Sequence, residues 1–299
     1  MWKMTEWTDR LHPITIFIYF VCVMAVAMFT RHPFLQVVSW AGSLILNRTF
    51  ATGRGKAGEL AWRIVFFLGV MIVNPLVYHN GVTVLFYLNG ARITLEAVIF
   101  GAVMAVTLAG VLNWCRGLTR FMTSDRLIYL LGRISPKAAL ICSMVLRFVP
   151  DYRRKAVQIR QVQQQLGLYG GGSLPERIRG ECRVFSAMVT WSFEHSVNTA
   201  DSMQARGFGC GKRTVYHEYH MTCRDVLLIL LSLGLSVGVI SIHTTNKIQV
   251  LYYPEIRMDM ADPWVWTCMI CYLLLCLLLP GYCGLRALGR SVAGGREDR

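Results

Sequence analysis

Charged side chains are what this sequence has least of. Only 16% of its 299 residues are Asp, Glu, Lys or Arg against 54% hydrophobic, a balance that excludes an ordinary soluble two-domain protein and implies a chain living mainly in a bilayer. Acids are scarcer still: 17 Asp and Glu stand against 31 Lys and Arg, a formal net charge of +14. Most of that excess sits between hydrophobic spans, where Lys and Arg gather on the cytoplasmic side, so it marks membrane topology and calls for no nucleic-acid partner. A carrier coupled to protons or ions needs more intramembrane acids or paired repeats, and no internal repeat relates the two halves. Histidine is sparse too. The seven fall mostly in loops or termini, with His195 alone on a polar helix face, which disfavours a membrane-embedded enzyme and leaves no catalytic residue to nominate.

Other absences narrow the chain further. The ten cysteines form no secreted-domain framework, and the C-x-x-C of Cys268 and Cys271 lies in an apolar helix without a nearby His or acid, so it reads as packing and not as a metal site. Residues 1–13 are polar, and the apolar run after them continues into a second one, so no cleavable signal is expected. No Walker-type phosphate loop is present. In "GFGCGKRT" the residue five before Gly211 is Arg206, and Lys212 is followed by Arg213; Gly55-Lys56 is followed by Ala57. The chain needs no cofactor and cannot hydrolyse ATP by that route.

What is present is an alternation of apolar runs and loops of contrasting charge. Residues 14–30, 33–46, 64–78, 93–114, 226–242 and 264–279 read as about six transmembrane helices, the second rather short. The basic loop 47–63 belongs to the cytoplasmic side. The stretch "HNGVTVLFYLNGARIT" has little charge, two Asn-Gly turn signals and a β-prone patch, which suits the outer face. Both termini are then cytoplasmic. Glu96 is the most tempting intramembrane acid, and Arg92 nearby reads as its ion-pair partner at the outer boundary. Asn74-Pro75 reads as a span end or kink. The fold class is therefore all-α integral membrane protein, with N-terminal spans in 1–114, a cytoplasmic region of amphipathic helices in 115–222 that holds about half of the Lys and Arg and that the resemblance given below makes a coupling region, and C-terminal spans with a basic tail in 223–299.

Within 115–222 two helices stand out. Pro150 suits a first helical position, Asp151 complements the positive helix end, and the glycines after Leu166 supply a stop, which predicts a helix over 151–166 with an apolar face of Tyr152, Ala156, Ile159 and Val162. The second carries Phe185, Met188, Val189, Phe193, Val197, Ala200 and Met203 at helical spacing and stops at Gly207. Each is a long amphipathic helix ending on x-x-Gly. The ending Ala205-Arg206-Gly207 has an ordinary reading, in which Arg206 complements the helix dipole and Gly207 takes the left-handed cap. A basic amphipathic helix also suits an anionic lipid surface. A third reading is that the two ends are knobs offered to a partner.

The runs "SMVLRFVPDYRRKAVQIRQVQQQLG" and "TADSMQARGFGCGKRT" resemble the T component of energy-coupling factor (ECF) transporters, the membrane scaffold of a micronutrient importer. In that family a Leu-Arg-Phe-hydrophobic-Pro run opens the first coupling helix, here with Arg147 and Pro150, and two coupling helices each end in a short motif centred on Arg. Ala205-Arg206-Gly207 matches the second motif intact; the first aligns on Gln165-Leu166-Gly167, with Leu166 in place of the Arg. The resemblance extends through 74–97 and 124–140. It implies a non-catalytic subunit of the plasma membrane of a bacterium or archaeon. Its partners would be two cytoplasmic ABC ATPase subunits gripping the helix ends, a membrane-embedded substrate-binding S component, and the lipid bilayer. A membrane anchor or a secondary carrier without ATPase partners is the competing class.

Overall fold

The computed structural model describes residues 11–30, 32–49, 57–77, 82–88, 91–168, 174–211, 219–245, 250–251, 257–258 and 263–297. The turn residue Arg31, the centre of the first basic loop (50–56), the glycines at 170–172 and the stretch 212–218 with Lys212, Arg213 and Thr214 lie outside them. In chain order the elements are α1 (Pro13–Phe29), α2 (Pro33–Thr49), α3 (Ala57–Val77), β1 (Val84–Leu88), β2 (Ala91–Thr94), α4 (Leu95–Phe121), α5 (Ser124–Ile134), α6 (Pro136–Gln165), α7 (Leu174–Ala205), α8 (Cys223–Thr244), β3 (Val250–Leu251), β4 (Arg257–Met258) and α9 (Pro263–Glu297). The chain is an all-α membrane protein, with two short antiparallel strand pairs among the described residues. It divides into two compact units, residues 1–126 with 219–299, and residues 127–218.

Unit 1 holds the apolar helices α1 to α4, α8 and α9. Among the described residues three segments are long and apolar enough to cross a bilayer by themselves: Leu95–Phe121, Cys223–Thr244 and Pro263–Tyr282. Pro13–Phe29 and the Ile64–Val77 part of α3 are shorter apolar helices. The expected span 93–114 runs on to Phe121, and α9 continues through Pro280 into what reads as a basic tail. In the β-prone patch β1 and β2 pair antiparallel with Leu88 opposite Ala91, and the two Asn-Gly signals at 80–81 and 89–90 lie outside the described residues.

The inside of unit 1 is explained by α2. Gln36, Ser39, Ser43 and Asn47 recur on one face, and all four are buried, while Phe34, Val37, Trp40 and Ile45 are exposed. In water this helix would be inside out; against hydrocarbon the apolar residues face a solvent they match, and the polar ones find partners within the protein. Trp114 Nε1 and the Tyr272 hydroxyl both donate to Ser39 Oγ, at 3.2 and 2.7 Å. Asn47 Nδ2 donates to the carbonyls of Ser43 and Asn113. A Cβ on Gly42 would stand 2.8 Å from Cys276 Cβ, so α2 and α9 approach as closely as a missing side chain permits. Around this lie Phe20, Trp114 and Phe121 in edge and tilted ring contacts. Cys268 is buried among them as a small hydrophobe, with Cys271 packed at the margin.

Helix directions within unit 1 follow from these contacts. Phe20 meets Phe121 and Met24 meets Cys115, so α1 and α4 run antiparallel. The His12 N–H donates to Asp225 at 3.4 Å, placing the starts of α1 and α8 side by side. Arg120 donates to Asn47 Oδ1 at 3.3 Å, bringing the ends of α2 and α4 together. One end of the unit thus gathers the starts of α1 and α8 with the ends of α2 and α4.

Candidate functional site: two capped helix ends

Unit 2 is built on α6 and α7. The expected start of the first coupling helix at Arg147 and Pro150 is corrected: α6 begins at Pro136, and both residues lie inside it. Ser135 supplies the better start, since its hydroxyl accepts from the Ala138 N–H and Pro136 occupies the first turn. Pro150 removes the N–H that would meet residue 146, at an exposed stretch of helix where that loss is tolerable. The Ser-Pro pair carried the same chemistry as the Val-Pro pair, with the N-cap hydroxyl that Val149 lacks.

The two helices pack antiparallel through aromatic rings. Phe148 and Tyr152 stack on α6, Trp191 and His195 stack at 4.9 Å on α7, and Phe148 meets His195 edge-on at 5.3 Å. Tyr152 meets Trp191 at 5.2 Å, and Lys155 Nζ lies 5.6 Å from the centre of the Trp191 ring. His195 is therefore part of a ring cluster, not a lone polar-face residue. Its signal in the sequence was the four-residue spacing from Trp191, matched by Phe148 and Tyr152 on α6. Further along, Arg160 pairs with Glu181 at 2.8 Å, a half-exposed contact worth at most about 1 kcal/mol. Val184, Met188, Trp191 and His195 form the face of α7 that is turned inward. The face that reads as most apolar, with Phe185 and Phe193 each 70% exposed, is left uncovered.

Both helices end in the same hydrogen-bonded cap. At the end of α6 the Gly167 N–H donates to the Gln164 carbonyl and the Leu168 N–H to that of Gln163, both at 3.0 Å. At the end of α7 the Gly207 N–H donates to Gln204 at 2.9 Å and the Phe208 N–H to Met203 at 3.0 Å. These are paired Schellman bonds, closed by glycines at φ +67° and +77°, which an L side chain rarely adopts. Gln165, Leu166 and Gly167 thus superimpose in role on Ala205, Arg206 and Gly207, and Leu166 and Arg206 are the two C-cap residues.

The consequence for Arg206 is chemical. The carbonyls of Ser202, Met203 and Gln204 near the end of α7 accept from backbone N–H groups, and among the described residues the guanidinium makes no hydrogen bond or ion pair. It stands exposed at the tip with its donors uncommitted. Leu166 is likewise exposed, at 66%. Because ring contacts and the Arg160–Glu181 pair fix an antiparallel register, the tips point away from each other. At 1.5 Å per residue they lie on the order of 40 Å apart.

Glu96 has a partner that the sequence reading did not name. Its carboxylate accepts from the Thr83 N–H at 3.1 Å and the Thr83 hydroxyl at 2.7 Å, tying the hairpin to the start of α4. The Arg92 side chain lies outside the described residues.

No protein-family profile matches the chain. Relatives do. Over 241 residues it is 26% identical to the energy-coupling factor transporter transmembrane protein EcfT of Bacillus selenitireducens, covering 74% of this chain and 87% of that protein. It is 28% identical over 109 residues to EcfT 1 of Listeria monocytogenes serotype 1/2a, covering 36% of this chain and 41% of the relative. With EcfT of Exiguobacterium sibiricum it shares 33% over 101 residues, 33% of this chain and 38% of the relative. The chain thus spans less than half the length of two of these relatives and most of the third. Motifs, caps and relatives point the same way: this chain resembles, along most of its length, the transmembrane T component of energy-coupling factor transporters.

Proposed function

We propose that the chain is the transmembrane scaffold subunit of an ECF-type ABC importer, coupling ATP hydrolysis in two partner ATPases to micronutrient uptake, of a vitamin or a metal ion, through a membrane-embedded S component. The observation that carries this reading is the pair of identically capped, outward-pointing helix tips. Each ATPase receives one tip in a groove; closure of the nucleotide-bound pair draws the tips along, and the helices pass the motion to the membrane spans and the S component. Arg206 suits one groove because a guanidinium offers several donors in a rigid fork to acidic and backbone acceptors. Leu166 suits the other through apolar packing, which fits two non-identical ATPases. The chain itself carries no catalysis. Unit 2 then lies on the cytoplasmic side of the plasma membrane together with both termini, in keeping with the basic loops.

Purification from native membranes in mild detergent tests this. The reading expects two ATP-binding subunits to be retained, and Arg206→Glu to release at least one of them while the spans stay folded. A chain that purifies alone, with stability indifferent to nucleotide, would be an anchor and not a transporter subunit.

A further inference from the structure

Where α2 and α4 finish side by side in unit 1, two rows of side chains pass from apolar to basic. The row on α2 is Trp40, Leu44 and Arg48, and the row on α4 is Leu112, Arg116 and Arg120, each at four-residue spacing and so on one face of its helix. The two helices are parallel: a Cβ on Gly110 would stand 3.7 Å from the Trp40 backbone, and one on Gly117 would stand 2.9 Å from the Leu46 side chain. Asn47 and Asn113 face each other across the contact. Counted at about 100° per residue, the α2 row is rotated one way from Asn47 and the α4 row the other way from Asn113, which in parallel helices is the same side of the contact. The rows therefore flank one groove. Trp40 and Leu112 are exposed at its apolar end, and at its basic end Arg48 and Arg120 are exposed and Arg116 half-buried.

We infer that this groove binds one anionic phospholipid, with the phosphate on Arg48, Arg116 and Arg120 and an acyl chain against Trp40, Leu44 and Leu112. Arg120 is held ready for it. Its Nη1 donates to the carbonyl and to Oδ1 of Asn47 at 3.5 and 3.3 Å, and Asn47 is buried and tied to the carbonyls of Ser43 and Asn113. The other donors of Arg120, and those of Arg48 and Arg116, have no partner among the described residues. Counter-charge is scarce around them. Helices α1, α2 and α4 contain a single acid, Glu96, at the opposite end of α4. Asp225 is buried and taken by Thr222 and His12, and the exposed Asp125 pairs with none of the three arginines. Helix dipoles account for Arg48 and Arg120, which stand in the last turns of α2 and α4, but not for Arg116 a turn earlier, where that effect has faded. From Trp40 to Arg48 the groove runs about 12 Å, enough to pass from headgroup depth into hydrocarbon. A zwitterionic headgroup would bring its own cation against three guanidiniums; an anionic one brings none, and basic pockets between spans suit such headgroups.

The inference does not depend on the coupling role, since the chain crosses a bilayer whatever its partners. To test it, the full-length chain, purified in detergent with whatever subunits it retains, is titrated with phosphatidylglycerol and with phosphatidylcholine of matched acyl chains, and bound lipid is counted by native mass spectrometry. Wild type should hold one phosphatidylglycerol about tenfold or more tighter than phosphatidylcholine. Arg48→Gln and Arg116→Gln should each lower that preference about fivefold, as expected for one basic residue at the headgroup layer, while Arg154→Gln at an exposed position of α6 should leave it unchanged. Neither Arg48 nor Arg116 makes a described side-chain bond, so both variants should melt like wild type; if one fails to fold, the other decides. Equal binding of the two lipids by wild type overturns the inference, as does a preference that the arginine variants leave intact. Displacement of phosphatidylglycerol by millimolar inorganic phosphate would give the groove to a soluble phosphate compound, and overturns it too.

Discussion

Ser39 shows what a single residue does inside this membrane protein. Its hydroxyl is the shared acceptor of Trp114 and Tyr272, so Ser39→Ala leaves two buried donors without that partner. The expected loss is about 1–3 kcal/mol, read as a lower melting temperature in detergent, whereas Ser241→Ala at the exposed end of α8 should change little. His32, in the turn between α1 and α2, is also buried, and burial first, then the nearby His243, holds its pKa below the ordinary 6.5. The unfolded chain therefore binds a proton more readily than the folded one. Stability tied to His32 is complete above pH 6.5 and is lost as pH falls from there through the folded value. Thermal unfolding between neutral and mildly acidic pH should show that slope, and His32→Gln should flatten it. At the tips the residue of interest is glycine: Gly207→Ala must hold a Cβ at positive φ and should weaken the cap by about 1–2 kcal/mol, seen as faster exchange at the Phe208 amide.

Among the elements, α6 separates what a local signal reveals from what it hides. Its C-terminal end was legible, because a glycine after a polar amphipathic run has few other uses, and the same holds for α7 at Gly207. Its start was not. Pro150 looks like a helix opening from the sequence, but proline is also tolerated inside a long helix whose other bonds hold, and Ser135 had already supplied the cap. Pro150→Ala should accordingly stabilise α6, by up to about 3 kcal/mol on the propensity scale, with raised helicity and thermal stability as the readout. If Pro150 were a true helix start, the change would be near zero or unfavourable. The polar face of α2 was hidden for another reason: its residues read as a weak, short span until Trp114, Asn113 and Tyr272, far away in sequence, are seen to supply their partners. The β1–β2 pairing falls where the sequence shows its β-prone patch. For α7, periodicity found an apolar face but not the fact that a second face, built on Trp191 and His195, takes the contact with α6.

At the scale of the whole molecule the proposed function turns on the tip of α7. Truncating Arg206 to Ala should cost on the order of 2–5 kcal/mol of association with an ATPase partner if the guanidinium is buried in the complex, and under about 1 kcal/mol of helix stability if it merely complements the dipole. Quantitative pull-down against melting temperature separates the two. At the other tip, Leu166→Ala should weaken binding of the second ATPase more than Leu166→Met, as apolar packing requires; equal weakening by Leu166→Ala and Leu166→Arg would remove that assignment. The paired caps carry one more implication. Since glycine and main-chain amides finish each helix unaided, neither Leu166 nor Arg206 is required for the fold at its own position. A single codon change there can alter the chemistry that a tip offers while the helix keeps its shape, so the two ends are free to diverge in side chain without the rest of the fold having to adapt.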